Sequence, residues 1–296
     1  MKILYTPTRF EPLDYQFSII DTQTLEIQNY GHKIDINTNK YYGSEERHKI
    51  NRPFGVSWNE QNLFVANRTN LIKFDKNLNQ LNHYDIYHGN PHQILEIDGK
   101  VYASDTSINC INVFDIESEK VEILFDPVKQ EEVKINGPVH YRDMDKDHIN
   151  SLHYDGEFLY IILHNWGQRP SEFMKLDFNF NILQRKFFHA KRAHCVYIDS
   201  GLVSTLDTGI SHYIVREDNS CVRIKTFAAD FIRGYAGNKD FHIIGATNTN
   251  NNRQARLIFI NKKTLEQTEI NLDCKHFAEL RLISEFDYSH NKESFL

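Results

Sequence analysis

The chain has 296 residues, of which 40% are hydrophobic, 12% aromatic and 25% charged. That composition excludes disorder, collagen-like repeats and coiled coils, and it is enough to bury a full core. Lys and Arg total 34 against 40 Asp and Glu, a net charge of −6, without the basic surplus expected of a nucleic-acid or anionic-membrane binder.

In chain order, MKILYTP, YQFSIID and LEIQNYG read as three short strands. The opening residues lack the apolar stretch of a signal peptide, and no segment approaches the roughly 20 apolar residues of a membrane helix. A hairpin signal follows from Arg52, RPFGVSWNEQNLFVANR. Three close copies come next: Pro91 to Asp105, HINSLHYDGEFLYII from His148, and AHCVYIDSGLVSTLD from Ala193. A looser copy, IRGYAGNKDFHIIGAT, starts at Ile232. Asp-Gly between alternating apolar runs is a strong hairpin signal. After each hairpin but one, a third strand ends in Phe74-Asp75, Phe114-Asp115, Leu176-Asp177 or Ile260-Asn261, then a polar turn and a fourth apolar run. The last segment, HFAELRLISEFDY, is a first strand with no successor.

The repeating unit is therefore four strands. Its first strand begins at Gly55, His92, Asn150, His194, Arg233 and Glu279, with steps between 92 − 55 = 37 and 150 − 92 = 58 residues. That is the period of propeller blades. The longest step contains a charged insertion, DPVKQEEVKINGPVHYRDMDKD. The sequence predicts one all-β domain over residues 1–296, a six-bladed β-propeller of four-stranded antiparallel blades. A C-terminal strand from about Phe277 to Phe286 closes it by joining the N-terminal strands, which removes free edges. No helical periodicity is sustained anywhere.

Cys110, Cys195, Cys221 and Cys274 are scattered and form no CxxC pair, the usage of a reducing compartment. The expected location is cytoplasmic, with no nucleic-acid or membrane partner.

The hairpins with a polar residue at the first strand and an Asp-Gly turn resemble the six-bladed SMP-30/gluconolactonase-like and NHL/YncE-like propellers. The gluconolactonase resemblance implies a divalent cation held by Glu, Asn and Asp side chains from first-strand starts. Asn150 is similar to the Asn of that set and Glu279 stands for the Glu. His194 occupies the Asp position, a departure that argues against calcium.

In a propeller the first strands line the central channel, so equivalent starts converge at one mouth. His92, His148 and His194 bring imidazoles there from three successive blades. With Asn150 they form the expected ligand set for one divalent metal, Zn, Fe or Mn rather than Ca. Arg233 and Glu279 are the expected catalytic residues, Arg233 holding an anionic group; an ion pair between those two is the alternative. His153, His164, His212 and His242 are expected to be structural. Asp143, Asp145 and Asp147 of DMDKDH match half of a calcium loop, and a solvated acidic loop is the expectation. Trp166 either stacks on a ligand or caps its blade. There is no GxSxG, phosphate-binding glycine loop or HExxH.

The expected function is a metal-dependent hydrolase, lyase or isomerase acting on a small anionic substrate at the channel mouth. The alternative is a non-catalytic propeller that binds a protein or peptide on its loop-rich face.

Overall fold

The computed structural model describes residues 1–7, 15–34, 52–88, 90–135, 144–209, 212–227, 230–248 and 253–283. The first three strands are β1 (Lys2–Pro7), β2 (Phe17–Asp21) and β3 (Ile27–Tyr30). The next antiparallel sheet is β4 (Pro53–Trp58), β5 (Leu63–Asn67), β6 (Asn70–Phe74) and β7 (Gln80–Asp85). The second complete blade is β8 (Pro91–Ile97), β9 (Lys100–Asp105), β10 (Cys110–Asp115) and β11 (Lys120–Asp126), with a short fifth strand β12 (Glu131–Glu132) from the insertion. The third is β13 (Ile149–Tyr154), β14 (Leu159–Leu163), β15 (Glu172–Leu176) and β16 (Ile182–Phe187). The fourth is β17 (Ala193–Asp199), β18 (Leu202–Asp207), β19 (Tyr213–Arg216) and β20 (Cys221–Arg223). The fifth is β21 (Asp230–Gly237), β22 (Phe241–Asn248), β23 (Arg256–Asn261) and β24 (Gln267–Asn271). The last strand, β25 (Phe277–Leu282), pairs antiparallel with β1 and completes the sixth blade.

The ring closes through the inner strands. They touch in the cyclic order β4, β8, β13, β17, β21, β25 and back to β4. Apolar side chains from adjacent blades interleave between the sheets, as where Leu4, Phe17, Val56, Val65, Ile72 and Phe74 form one cluster. Middle strands such as β14 are buried throughout, whereas the outer strand β16 is mostly exposed. The repeated Asp after the third strand has a local cause. Asp75 Oδ1 accepts from the Asn77 and Asn79 amides, and Asp177 Oδ1 from those of Asn179 and Asn181; these Asx turns set up the return into the fourth strand.

Each inner strand also carries a register shift near the end where it enters the ring, between Pro53 and Val56, Pro91 and Ile94, Ile149 and Ser151, His194 and Tyr197, and Ile232 and Tyr235. The sixth blade has the same shift where Phe277 and Leu280 face Pro7 and Tyr5. A bulge at the rim re-aims side chains, and here it does so in every blade. Gly55 shows how tightly neighbouring blades approach: a Cβ there would meet the Ile94 amide at 2.6 Å. Two 3-10 turns, Thr106–Ile108 and Asn165–Gly167, lie among the described residues. No described helix is long and apolar enough to cross a membrane.

Candidate functional site at the channel mouth

The side chains at the bulged strand ends form a continuous belt of rings. Phe54 packs on His92 (5.2 Å between centroids), His92 on His148 (5.2 Å), His148 on His164 (4.7 Å), His164 on His194 (4.9 Å) and His194 on Phe231 (5.2 Å). The structure thus brings together His92, His148 and His194 and adds His164, read from sequence as structural. His164 lies just past the end of β14 and enters the belt beside His148, whose carbonyl accepts its amide proton at 3.2 Å.

Hydrogen bonds fix the state of three rings. His92 Nδ1 lies 2.9 Å from the Asn90 carbonyl and 2.7 Å from Thr106 Oγ1. The Thr106 hydroxyl donates to the Ile149 carbonyl at 2.5 Å, so it accepts from the ring. The His92 proton therefore sits on Nδ1 and Nε2 holds a lone pair. His194 repeats the arrangement: its Nδ1 lies 2.9 Å from the Arg192 carbonyl and 3.2 Å from Thr208 Oγ1, whose hydroxyl donates to Arg192 O at 2.6 Å. His164 is the opposite tautomer, because its Nδ1 accepts the Trp166 amide proton at 3.2 Å and leaves the proton on Nε2. Both threonines follow their histidine by 14 residues and directly follow an Asp that ends the second strand. That His…Asp-Thr spacing in two blades is the sequence signal for these pinned rings.

His148 is held differently. Its Nδ1 lies 3.1 and 3.0 Å from the two carboxylate oxygens of Asp145. The Trp166 ring packs on it with centroids 4.1 Å apart, while Trp166 Nε1 donates to the Asp145 carbonyl at 3.0 Å. Trp166 is 43% exposed, so it joins the site by covering His148. The acidic loop is not a solvated one where the structure describes it. The Asp145 side chain is 6% exposed, and Asp147 accepts from Asn109 Nδ2 and Arg169 Nη2; the expectation failed because the loop turns inward to meet His148 and Asn109. Asp143 lies outside the described residues.

Burial holds all four imidazoles well below the ordinary histidine pKa, with the Arg233 charge lowering each further; His148 falls to about 3 and His164 to about 2. The rings are neutral at physiological pH. Burial, with the Asp147 charge, pushes Asp145 up to about 8. Arg233 is thus within electrostatic reach of every ring. Its guanidinium and that of Arg52 flank the Phe54 ring, at 5.7 and 4.6 Å from the centroid.

Asn150 donates from Nδ2 to the Ala193 carbonyl at 3.0 Å, which leaves its buried Oδ1 without a hydrogen bond among the described residues. Glu279 is 2% exposed and lies 3.3 Å from Arg281 Nη1; burial raises its pKa, opposed first by Arg281. Its ion-pair partner is thus Arg281. His153 and His242 stand outside the belt, His153 beside Tyr160 (6.2 Å) and His242 bonded to the Tyr235 hydroxyl (3.0 Å). Cys195, next to His194, is buried and its thiol is pushed up to about 12 by burial, unsuited to act as a nucleophile.

Among the described residues, no three His, Cys, Asp or Glu side chains are placed to hold one metal ion. Among the described residues, His92 Nε2, His194 Nε2 and Asn150 Oδ1 are lone pairs of suitable type at this mouth that no hydrogen bond takes up. Imidazoles tied at Nδ1 to backbone carbonyls have the outer-shell support usual in metal ligands.

No protein-family model matches the chain, and no curated protein matches it. Solved structures do match over nearly its whole length. One is from a nidogen/laminin complex (TM-score 0.61, 9% identity, 95% of this chain and 97% of that one). A second is a protein of unknown function from Bacteroides caccae (TM-score 0.59, 10% identity, 95% and 97% covered). A third is a computationally designed protein, Ika8 (TM-score 0.51, 9% identity, 94% and 90% covered). At such identities the likeness is one of fold, and the fold is the six-bladed β-propeller.

Proposed function

We propose that the channel mouth binds a small anionic molecule and that the protein is an enzyme of the hydrolase, lyase or isomerase type acting on it there. The observation that carries this reading is the set of neutral, individually pinned imidazoles within reach of the Arg233 charge. A fixed guanidinium selects an anion. The lone pairs at His92 Nε2 and His194 Nε2 accept protons from hydroxyl or amide groups of the same molecule, and His164 Nε2–H donates to it. Reading the site this way separates charge recognition from hydrogen-bond recognition.

A divalent transition metal belongs to the same reading through its donor set. His92, His194 and Asn150 would hold it, and Zn, Fe or Mn would supply Lewis-acid chemistry there. His148 is committed to Asp145 and is left out of that set. The alternative of a protein- or peptide-binding scaffold has no comparable observation in its favour.

The test is binding. Protein dialysed against EDTA is titrated separately with zinc, manganese and inorganic phosphate. Expected are a metal site lost on His92→Ala and His194→Ala, and a phosphate site lost on Arg233→Ala, which retains the metal. Phosphate binding unchanged in Arg233→Ala would overturn the anion reading. Metal binding unchanged in both histidine variants would overturn the metal assignment.

A further inference from the structure

We propose that the mouth binds a phosphate monoester, its dianionic phosphoryl group held between the Arg52 and Arg233 guanidinium groups over the sixth blade, and that Arg52 selects a dianion over a monoanion. The inference rests on the anion-binding reading above and deepens it, giving the anion a place, a charge and a second cation. It begins from the rim bulges. In four blades two residues lie between the last ladder pair before the bulge and the first pair after it: Phe54 and Gly55, His92 and Gln93, Arg233 and Gly234, Ala278 and Glu279. The first residue of each pair supplies the mouth. Phe54 and His92 give the belt two of its rings, and Arg233 gives its guanidinium. In the sixth blade that residue is Ala278, whose buried side chain ends at Cβ.

The place of this alanine decides where an anion fits. Its strand, β25, lies between β21 and β4 in the ring, so Arg233 and Phe54 come from the blades on either side of it. Gly234, at φ +75°, lets β21 close on β25; a Cβ there would meet the Leu280 amide at 3.2 Å. From β21 the Arg233 guanidinium reaches across β25 to within 5.7 Å of the Phe54 centroid, and a side chain as short as alanine leaves that crossing open. Arg52 lies over the same ring at 4.6 Å. Its amide donates to Asn67 Oδ1 at 2.7 Å, which fixes the backbone where β4 begins. The face of an aromatic ring attracts both cations. Their mutual repulsion opposes the arrangement, and an anion between them relieves it. Glu279, the residue after Ala278, is engaged by Arg281 at 3.3 Å.

Two guanidinium groups specify more than one does. A single guanidinium matches one carboxylate edge, two oxygens sharing one charge. A pair that meets the ligand from two sides is matched by a tetrahedral group with three terminal oxygens and a charge of about −2, which a phosphate monoester carries above its second pKa of about 6. The ester oxygen then directs the rest of the molecule away from the sixth blade, toward the imidazoles of the second, third and fourth blades. Their fixed donors and acceptors read its hydroxyl groups, so charge and hydroxyl recognition fall on opposite sides of one mouth.

Calorimetric binding of two probes to the full-length, EDTA-dialysed protein at pH 8 tests this. Methyl phosphate is a dianion there with three terminal oxygens. Dimethyl phosphate has the same tetrahedral centre but one charge and two terminal oxygens. The parent should bind methyl phosphate roughly tenfold to a hundredfold more tightly, the weight of one charge-assisted hydrogen bond. Arg52→Gln should remove most of that preference by weakening the monoester while sparing the diester. Arg52→Lys, which keeps the charge and loses the planar fork, should lower it partway.

Equal affinity of the parent for both probes overturns the proposal and leaves an anion site in place. So does a preference left intact in Arg52→Gln, or in Arg52→Lys should Arg52→Gln not fold. Binding of neither probe to the parent is a different result and defeats the anion-binding reading itself.

Discussion

Acidification should begin to destabilise this protein below about pH 6.5, before most carboxylates are protonated. Six imidazoles among the described residues have pKa values pushed far down and are neutral in the fold: His92, His148, His164 and His194 in the belt, with His153 and His242 outside it, the last two held down to about 4 chiefly by burial. In the unfolded chain each titrates near the ordinary value of about 6.5. A group whose folded pKa is depressed in this way contributes fully above the unfolded pKa, and that contribution is lost as pH falls below it. Asp145 works in the opposite sense, because its pKa is raised to about 8 and the folded state holds its proton where the unfolded state does not. Near pH 5 the unfolded state therefore binds about five more protons than the folded one, a slope of about 7 kcal/mol per pH unit at about 1.4 kcal/mol per proton. Relaxation and water entry reduce this, yet half of it matches the total stability of a domain, about 5–15 kcal/mol, within two to four units. Urea midpoints from far-ultraviolet circular dichroism at pH 7, 6, 5.5 and 5 measure it, with His164→Gln as the control that should flatten the slope. A midpoint that stays constant from pH 7 to 5 would refute the reasoning, since it would mean the imidazoles protonate inside the fold.

Other expectations follow from closure, packing and thiol burial. Deleting the chain from His276 onward removes β25 and leaves the β1 edge unpaired, so the truncated protein should aggregate on expression; a soluble, cooperatively unfolding product counts against closure through β25. Gly55→Ala places a methyl 2.6 Å from the Ile94 amide and 2.8 Å from Gln93 Cα, both backbone atoms, and should destabilise by about 1–3 kcal/mol in urea unfolding. Of the four cysteines only Cys221 is exposed, so native protein should take up one iodoacetamide label, mapped to Cys221 by mass spectrometry, and four after unfolding.

The propeller was legible because its signals are local and repeated. The Asp-Gly hairpins and the Asp that closes each third strand recur in nearly every blade, and β25 followed from a first strand left without a successor. The first-strand starts pointed to His92, His148 and His194, and the structure places their rings in one belt. What could not be read was the role of residues outside those starts. His164 lies just past the end of a second strand, where its amide bonds the His148 carbonyl and its ring packs on that of His148 in the belt. Asp145 looked like surface charge because a run of alternating acids is usually solvated, and only the inward turn anchored by Asn109 and Arg169 shows otherwise. The Thr106 and Thr208 hydroxyls fix ring tautomers, a property that depends on where their own protons go, and nothing in the sequence displays that.

The composition of the belt also argues that it was not assembled for stability. The same ring of positions accepts phenylalanine in two blades: Phe54 packs against His92 at one end and Phe231 against His194 at the other, each at 5.2 Å. An apolar ring there buries its surface with no polar group to satisfy. An imidazole needs a partner for its Nδ1, loses hydration at Nε2, and makes the fold sensitive to acid. The chain nonetheless places four imidazoles side by side, and each is held by its own group: Asn90 and Thr106, Asp145, the Trp166 amide, and Arg192 and Thr208. Their Nδ1 atoms are satisfied, and among the described residues their Nε2 atoms make no hydrogen bond. A polar rim serving only to line a wet channel has no need of pinned tautomers, because water adapts to either. Fixed donors and acceptors matter when the occupant has fixed donors and acceptors of its own, and this is the physical ground for reading the mouth as a recognition site.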